Sequence, residues 1–268
     1  MIRFSIVTIT WNAAHCVQKT LDSVASQSYN CLEHLIIDGV STDETLAMVD
    51  SYRQQCSYPV LVSSEPDTGI YDAMNKGLAR ATGDYIIFMN AGDSFHSSDT
   101  LQKIVEQIDE NNLPAVIYGD TDIVDDTGNY LGKRHLSAPE HLTWRSFRKG
   151  MLVCHQAFYA RTDITRDIRY DESLKLSGDV DWCIRVMKAA EEEGLALHNT
   201  HMVVADYLKE GLSTRHHRAS LKERFEVMRR HYGLLTTLCW HCWFLLRALA
   251  RKFRVYGFAV IIGCTLAI

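Results

Sequence analysis

Proline is scarce in this chain, with four among 268 residues, and the 15 glycines form no repeat or low-complexity tract. That excludes fibrous and Pro/Gly-rich disordered classes. No apolar stretch reaches the ~20 residues that a bilayer-spanning helix needs. His241 and Arg247 interrupt Leu234–Ala250, and Arg251–Arg254 separate it from Val255–Ile268. The opening MIRFSIVTIT is too short and too mixed for a signal peptide and reads as a first strand. A disulfide framework is missing as well. The eight cysteines (16, 31, 56, 154, 183, 239, 242, 264) are scattered, several inside apolar runs, which suits buried thiols in a reducing compartment. Cys239 and Cys242 form a lone CxxC, without the second ligand pair zinc requires or the preceding strand of a redox motif.

What is present is a core-forming composition, 47% hydrophobic and 23% charged, enough for one large α/β domain with an appendage. The net charge of −5 conceals an asymmetry: from Arg215 onward ten Lys/Arg face two acids, a local +8, which leaves −13 on the rest. A basic end on an acidic body suits attraction to a phosphate-rich surface, or simply a solvated helix face.

Hydrophobic periodicity predicts strands at Phe4–Thr10, Leu32–Ile37, Pro59–Ser63 and residues 84–89. Between them it predicts helices over 13–25, from Asp43 to about Tyr52, and over Gly69–Ala81. Strand alternating with helix is the pattern of parallel βαβ units. Further on, a helix is expected over Ser98–Asp109 and a strand over Ala115–Tyr118. A hairpin is expected to start at Gly119–Asp122 and return to Lys133, and Val153–Ala160 reads as a strand carrying His155 and Gln156. Asp179–Glu191 is helical, with Trp182, Val186 and Met187 on one face, and Thr200–Leu208 alternates like an antiparallel strand. Residues 135–150 follow no pattern. Arg215–Tyr232 reads as a basic helix, and the aromatics Trp240, Trp243 and Phe244 among flanking cations fit a segment lying in a membrane's headgroup region. A buried core or oligomer helix is the alternative.

Polar clusters end predicted strands or begin helices: Thr10-Trp11-Asn12, Asp38–Asp43, Asp67–Asn75 and Asn90–Asp93. In a parallel sheet the first, second and fourth share the carboxyl edge, where ligands bind. An aromatic there can stack on a flat ring, a carboxylate can accept a base N–H, and a helix N-terminus can receive phosphate. Together they describe a nucleotide site; singly, each is also an ordinary turn or cap.

In order, SIVTITWN, IIDGVSTDET, the GxxxxxNxG of Gly69, Asn75 and Gly77, GDYIIFMNAGD and LSGDVDWCIR resemble glycosyltransferase family 2, over about residues 3–215. EPDTGIYDAMNKGL is similar to a subgroup that builds capsular, lipopolysaccharide or exopolysaccharide units. The resemblance implies an α/β GT-A fold over 1–214, with a nucleotide-binding half at about 1–118 and an acceptor half at about 119–214, then a helical extension over 215–268. It implies inverting transfer from a nucleotide-diphosphate sugar, chiefly a UDP-sugar, to a glycan or lipid-linked glycan. A divalent metal (Mn²⁺ or Mg²⁺) is the implied cofactor.

Residue by residue, Thr10, Trp11 and Asn12 match the family's base-flanking strand end, and Asp38 matches the first Asp of its base-contacting turn. Asn75 matches the family Asn, with Met74 where an Arg often stands. Asn75, Asn90 and Ala91 are expected at the nucleotide-sugar, Asp93 in the acidic metal motif is the metal ligand, and Asp179 matches the catalytic base. Gly39, Gly92 and Gly178 depart from the pattern where acids often stand, and Asn90 does too. Asp67 and Asp72 are expected near the ribose or donor sugar, and His155, Asp181 and Arg185 near the acceptor, although a core histidine and an exposed i,i+4 ion pair are the default readings of these three. HQAF at 155–158 and GLS at 211–213 also fit the family, the latter in a region that often closes over the diphosphate.

The expected setting is cytoplasmic, at the inner membrane face through 215–268, with no nucleic-acid partner and with room for a homo-oligomer. The competing readings are a sugar nucleotidyltransferase, which would want a Gly-rich basic loop where Trp11-Asn-Ala-Ala14 stands, and a degenerate GT-A protein acting as a binding scaffold.

Overall fold

In the computed structural model, which describes residues 1–209 and 217–247, the first half alternates as expected. Strands β1 (Phe4–Thr10), β2 (Leu32–Asp38), β3 (Val60–Ser64) and β4 (Tyr85–Phe88) lie parallel in the order β3–β2–β1–β4. Helices α1 (Val17–Ala25), α2 (Thr45–Arg53) and α3 (Ile70–Arg80) connect them. β1 and β2 are buried almost throughout, because crossover helices cover both faces of a parallel sheet and leave no position for an exposed side chain. The register pairs Thr10 with Asp38 and Asp38 with Ser64, so three strand ends finish level at the carboxyl edge.

Beyond β4 the sheet becomes mixed. Strands β5 (Ser94–Phe95), β6 (Val116–Val124), β7 (Tyr130–Lys133), β8 (Phe158–Arg161) and β9 (Leu197–Leu208) extend it as β4–β8–β6–β9–β5, with β7 on β6. Here the structure corrects several expectations. The expected hairpin forms, with β6 and β7 antiparallel and Asp122 opposite Lys133, but its first strand starts earlier, and β6 runs unbroken through Gly119 to Val124. A Cβ at Gly119 would lie 2.7 Å from the Met202 carbonyl, so glycine lets β9 approach, and the register slips beside it. β9 runs parallel to β6 and antiparallel only to the two-residue β5. Alternation identifies a half-buried strand but carries no direction. Residues His155–Ala157 form a 3₁₀ turn, and the strand begins at Phe158. The expected helix over 98–109 is the shorter α4 (Thr100–Val105), and α5 (Thr162–Thr165) is a single turn. The unpatterned 135–150 holds a 3₁₀ segment, Trp144–Lys149, whose Trp144 stacks on Tyr232 at 5.5 Å.

Helix α6 (Gly178–Glu192) is seated by Trp182. Its fully buried indole stacks on Tyr170 at 4.9 Å, meets Phe88 and Phe158 edge-on, and donates to the Ile168 carbonyl at 2.8 Å. Helix α7 (His217–Tyr232) is not a solvated basic rod, since Val227 and Met228 are buried. Glu223 accepts the backbone N–H groups of Lys175, Leu176 and Ser177 at 2.5–2.6 Å, capping the approach to α6. Arg230 and His231 reach Asp171 and Asp181 at 2.7 and 2.8 Å. Residues 234–247 are also helical and leave Leu234, Leu235, Leu238, Trp243, Leu245 and Leu246 exposed. Among the described residues no helix is long and apolar enough to cross a membrane. The expectations for Gly211–Ser213 and for 248–268 lie outside the described residues.

Candidate active site

A cavity of about 930 Å³ opens beside the carboxyl edge, between the turn after β4, the 3₁₀ turn at 155–157 and the start of α6. These three pieces are tied together across it. Asn90 Nδ2 lies 3.1 Å from His155 Nε2, and His155 Nδ1 faces Asp179 Oδ2 at 3.5 Å. Gln156 Nε2 donates to Asp93 Oδ2 at 2.7 Å, and the Leu208 amide donates to Asp93 Oδ1 at 3.0 Å.

The two carboxylates are tuned in opposite directions. Burial pushes the Asp93 pKa up, and the bonds from Gln156 and Leu208 offset this only in part. Burial would raise that of Asp179 too, but His155 and the charge of Arg224 outweigh it and hold the carboxyl below its usual range. Asp179 is therefore an ionised group facing a cavity, and Asp93 is a harder one to ionise.

The other expected residues divide into two sets. Thr10, Trp11, Asn12 and Asp38 gather at the strand ends. Trp11 is 70% exposed, with its indole free for stacking. Asp38 is only 1% exposed and saturated: Thr10 Oγ1, Ser41 Oγ, the Ser41 amide and Ser64 Oγ all donate to it at 2.5–2.9 Å. Asn12 Oδ1 accepts from the Thr42 amide at 2.8 Å and fixes the same loop. Asn90 and Ala91 line the cavity.

Asn75 faces elsewhere: its amide brackets the backbone of Tyr170 at 2.7 and 3.1 Å and meets Glu172 at 2.9 Å. Asp72 caps the start of α3 through the Thr68 amide at 2.9 Å. Asp181 is bound by Arg185 at 2.7 Å and by His231 at 2.8 Å, and neither Asp181 nor Arg185 lines the cavity.

Residues 5–168 match the family profile described as Glycosyl transferase family 2. The chain belongs to that family. It is 31% identical over 205 residues to a PGL/p-HBAD biosynthesis glycosyltransferase of Mycobacterium bovis, covering 76% of each chain. It is also 31% identical over 217 residues to the amylovoran biosynthesis glycosyltransferase AmsB of Erwinia amylovora, covering 75% of this chain and 70% of that one. In three dimensions it is similar to S. aureus TarS 1–349 in complex with UDP-GlcNAc (TM-score 0.66, 20% identity, 85% of this chain and 65% of that one). It thus spans just under two thirds of that structure. It is also similar to the mannosyltransferase PcManGT from Pyrobaculum calidifontis in complex with GDP-Man and Mn2+ (TM-score 0.60, 16% identity, 97% and 80% coverage). At these identities the likeness is one of fold, the GT-A arrangement of a curled, mostly parallel sheet.

Within this family 2 glycosyltransferase, three acidic positions of the resemblance are glycine, and each missing side chain is replaced by a neighbour. A Cβ at Gly178 would lie 2.7 Å from the Tyr71 ring, one at Gly92 would lie 2.8 Å from Leu208 Cδ2, and one at Gly39 would lie 2.5 Å from Asp67 Oδ2. The glycosyltransferase also has site residues that sequence reasoning missed. Arg134, Gln156, Lys175, Lys209 and Arg224 all line the cavity, and Arg224 Nε is buried without a hydrogen-bond partner among the described residues. The signal for Arg224 was available in Glu223-Arg224, an acid inside a basic run, but the surrounding charge masked it. Away from the cavity, His96, Asp122 and Asp206 bring one ligand atom each within 4.8 Å of one another, with His96 Nδ1 2.8 Å from Asp206 Oδ1.

Proposed function

We propose that this glycosyltransferase moves a sugar from a UDP-sugar to a hydroxyl of a glycan or lipid-linked glycan in bacterial surface-polysaccharide synthesis, with inversion at the anomeric carbon. The observation that carries the reading is the Asp179 carboxylate facing the cavity with His155 Nδ1 3.5 Å from it. Asp179 takes the proton of the acceptor hydroxyl as that oxygen attacks the anomeric carbon, and the bond from that carbon to the phosphate oxygen breaks. His155 orients the carboxylate. The leaving diphosphate gains negative charge, and Arg224, Lys175 and Lys209 stand on the cavity wall to meet it.

The turn at 90–93 fits a divalent ion shared with the donor rather than one caged by protein. Asp93 is its one carboxylate, and Asn90 Oδ1 is a buried oxygen without a hydrogen-bond donor among the described residues. One carboxylate plus substrate phosphates is the usual way such an ion is held. When bound, the ion supplies charge neutralisation at the diphosphate.

The helical segment 234–247 supports placement at a membrane surface, with its exposed leucines and a hollow of about 630 Å³ lined by Lys149, Trp240, Trp243 and Arg247. Nucleoside diphosphate release from a panel of nucleotide sugars, with and without Mn²⁺ or Mg²⁺, tests the activity. Release by wild type and loss in Asp179→Asn are expected. Undiminished turnover by that variant would remove Asp179 as the base, and nucleotide binding without any turnover would favour the scaffold reading.

A further inference from the structure

The three glycines that replace family acids are not equivalent. Tyr71 fills the space at 178 and Leu208 the space at 92, so the negative charge is lost there. At 39 the filler is itself a carboxylate. A methyl group added to Gly39 would lie 2.5 Å from Asp67 Oδ2 and 3.4 Å from Trp11 Cδ1, so one small space is bounded by an acid and by the exposed indole. Asp38, next in the chain, has no oxygen to offer, because four donors from Thr10, Ser41 and Ser64 occupy it and it is buried. Asp67 differs: its Oδ1 accepts the Gly69 amide at 2.9 Å, and no donor among the described residues reaches Oδ2 within hydrogen-bond distance. Asp67 as a whole is only partly buried.

We infer that the base of the donor is read by Asp67, whose carboxylate occupies the space Gly39 vacates, with Trp11 as the stacking face. The inference rests on the nucleotide-sugar reading above. A carboxylate oxygen accepts a ring N–H, which uracil has at N3, whereas cytosine and adenine present a lone pair at the corresponding edge. Guanine offers two adjacent donors, best matched by two free oxygens, and Asp67 has committed one of its oxygens to Gly69. The geometry therefore favours uracil.

Isothermal titration of the full chain with UDP, CDP and GDP tests this. Asp67→Asn keeps an amide oxygen for Gly69 but places a donor beside the base. A charge-assisted hydrogen bond of this kind corresponds to on the order of a 10- to 100-fold loss of UDP affinity in Asp67→Asn, with CDP gaining relative to UDP. The double variant Gly39→Asp/Asp67→Gly carries the acid on the other side of the same space, and UDP affinity is expected to return to within about threefold of wild type, as the contact is remade. Gly39→Asp alone, with Asp67 in the way, is expected to bind UDP poorly. If wild type binds UDP and Asp67→Asn binds it equally well, Asp67 is not the reader, although the donor reading stands. If wild type binds no nucleotide, or prefers GDP, the uridine donor reading falls as well.

Discussion

Asp179, at the cavity wall, and His34, inside the sheet, are both ionisable groups with shifted pKa values, and they lead to opposite expectations. Asp179 is held below its usual range, so it is ionised throughout neutral and mildly acidic pH. Asp179→Asn should lower kcat by roughly 10²- to 10⁴-fold with little change in donor affinity, as removal of a positioned base does. The acid limb of the rate profile should not arise from Asp179 above pH 5. His34 lies inside the sheet, bonded to Thr8 Oγ1 at 2.8 Å and Tyr52 OH at 2.7 Å, and burial pushes its pKa from 6.5 down to about 3. The unfolded chain binds a proton there that the folded chain refuses. Stability is therefore full above pH 6.5 and falls as pH drops from 6.5 towards 3. The loss from this residue is about 2 kcal/mol at pH 5. Urea unfolding at pH 7.5 and 5.0 should show it, and a His34→Gln chain with the same pH slope would refute the assignment. The sequence made Asp179 legible because it sits in a motif. It made Asp38 look like the open acid, because nothing in IIDGVSTDET reveals that Ser64, on the next strand, completes the saturation of its carboxylate.

Helices α6 and α7 act as a pair. α6 presents Asp179 at its first turn, and Trp182, three residues on, seats it among aromatic rings. Trp182→Ala should cost about 3–5 kcal/mol, as large core truncations do. α7 fixes the other side: Glu223 collects three backbone N–H groups just ahead of α6. Glu223→Ala leaves those donors without their acceptor and should cost about 1–3 kcal/mol. Its melting temperature should fall, and kcat with it, since the loop that aims Asp179 loosens; unchanged kcat in a folded variant would mean that α7 only stabilises. The β1–β4 units were legible because each buried run is local. The path of β9 was not, because a strand's direction is decided by the distant β6 it joins.

For the whole molecule, the charge asymmetry and the exposed leucines of 234–247 lie at the same end of the chain. Leu235→Glu/Leu246→Glu should reduce co-sedimentation with vesicles containing anionic lipid by several-fold, while soluble-acceptor turnover stays near wild type. Equal sedimentation would refute the surface reading. The basic helix was read from sequence as a separate extension. Its contacts with Asp171, Lys175–Ser177 and Asp181 could not be foreseen, since they depend on tertiary packing rather than on periodicity.

The filled glycines also constrain how such a chain can drift. A single change that restores an acid at Gly39 overfills the space, and a single change that removes Asp67 empties it of charge. An acid at 39 with none at 67 and the present arrangement are separated by an intermediate worse than either, so substitutions at the two positions should be found together or not at all. Chance mutation can wander freely around this pair on the surface, but it crosses between the two arrangements only in a double step.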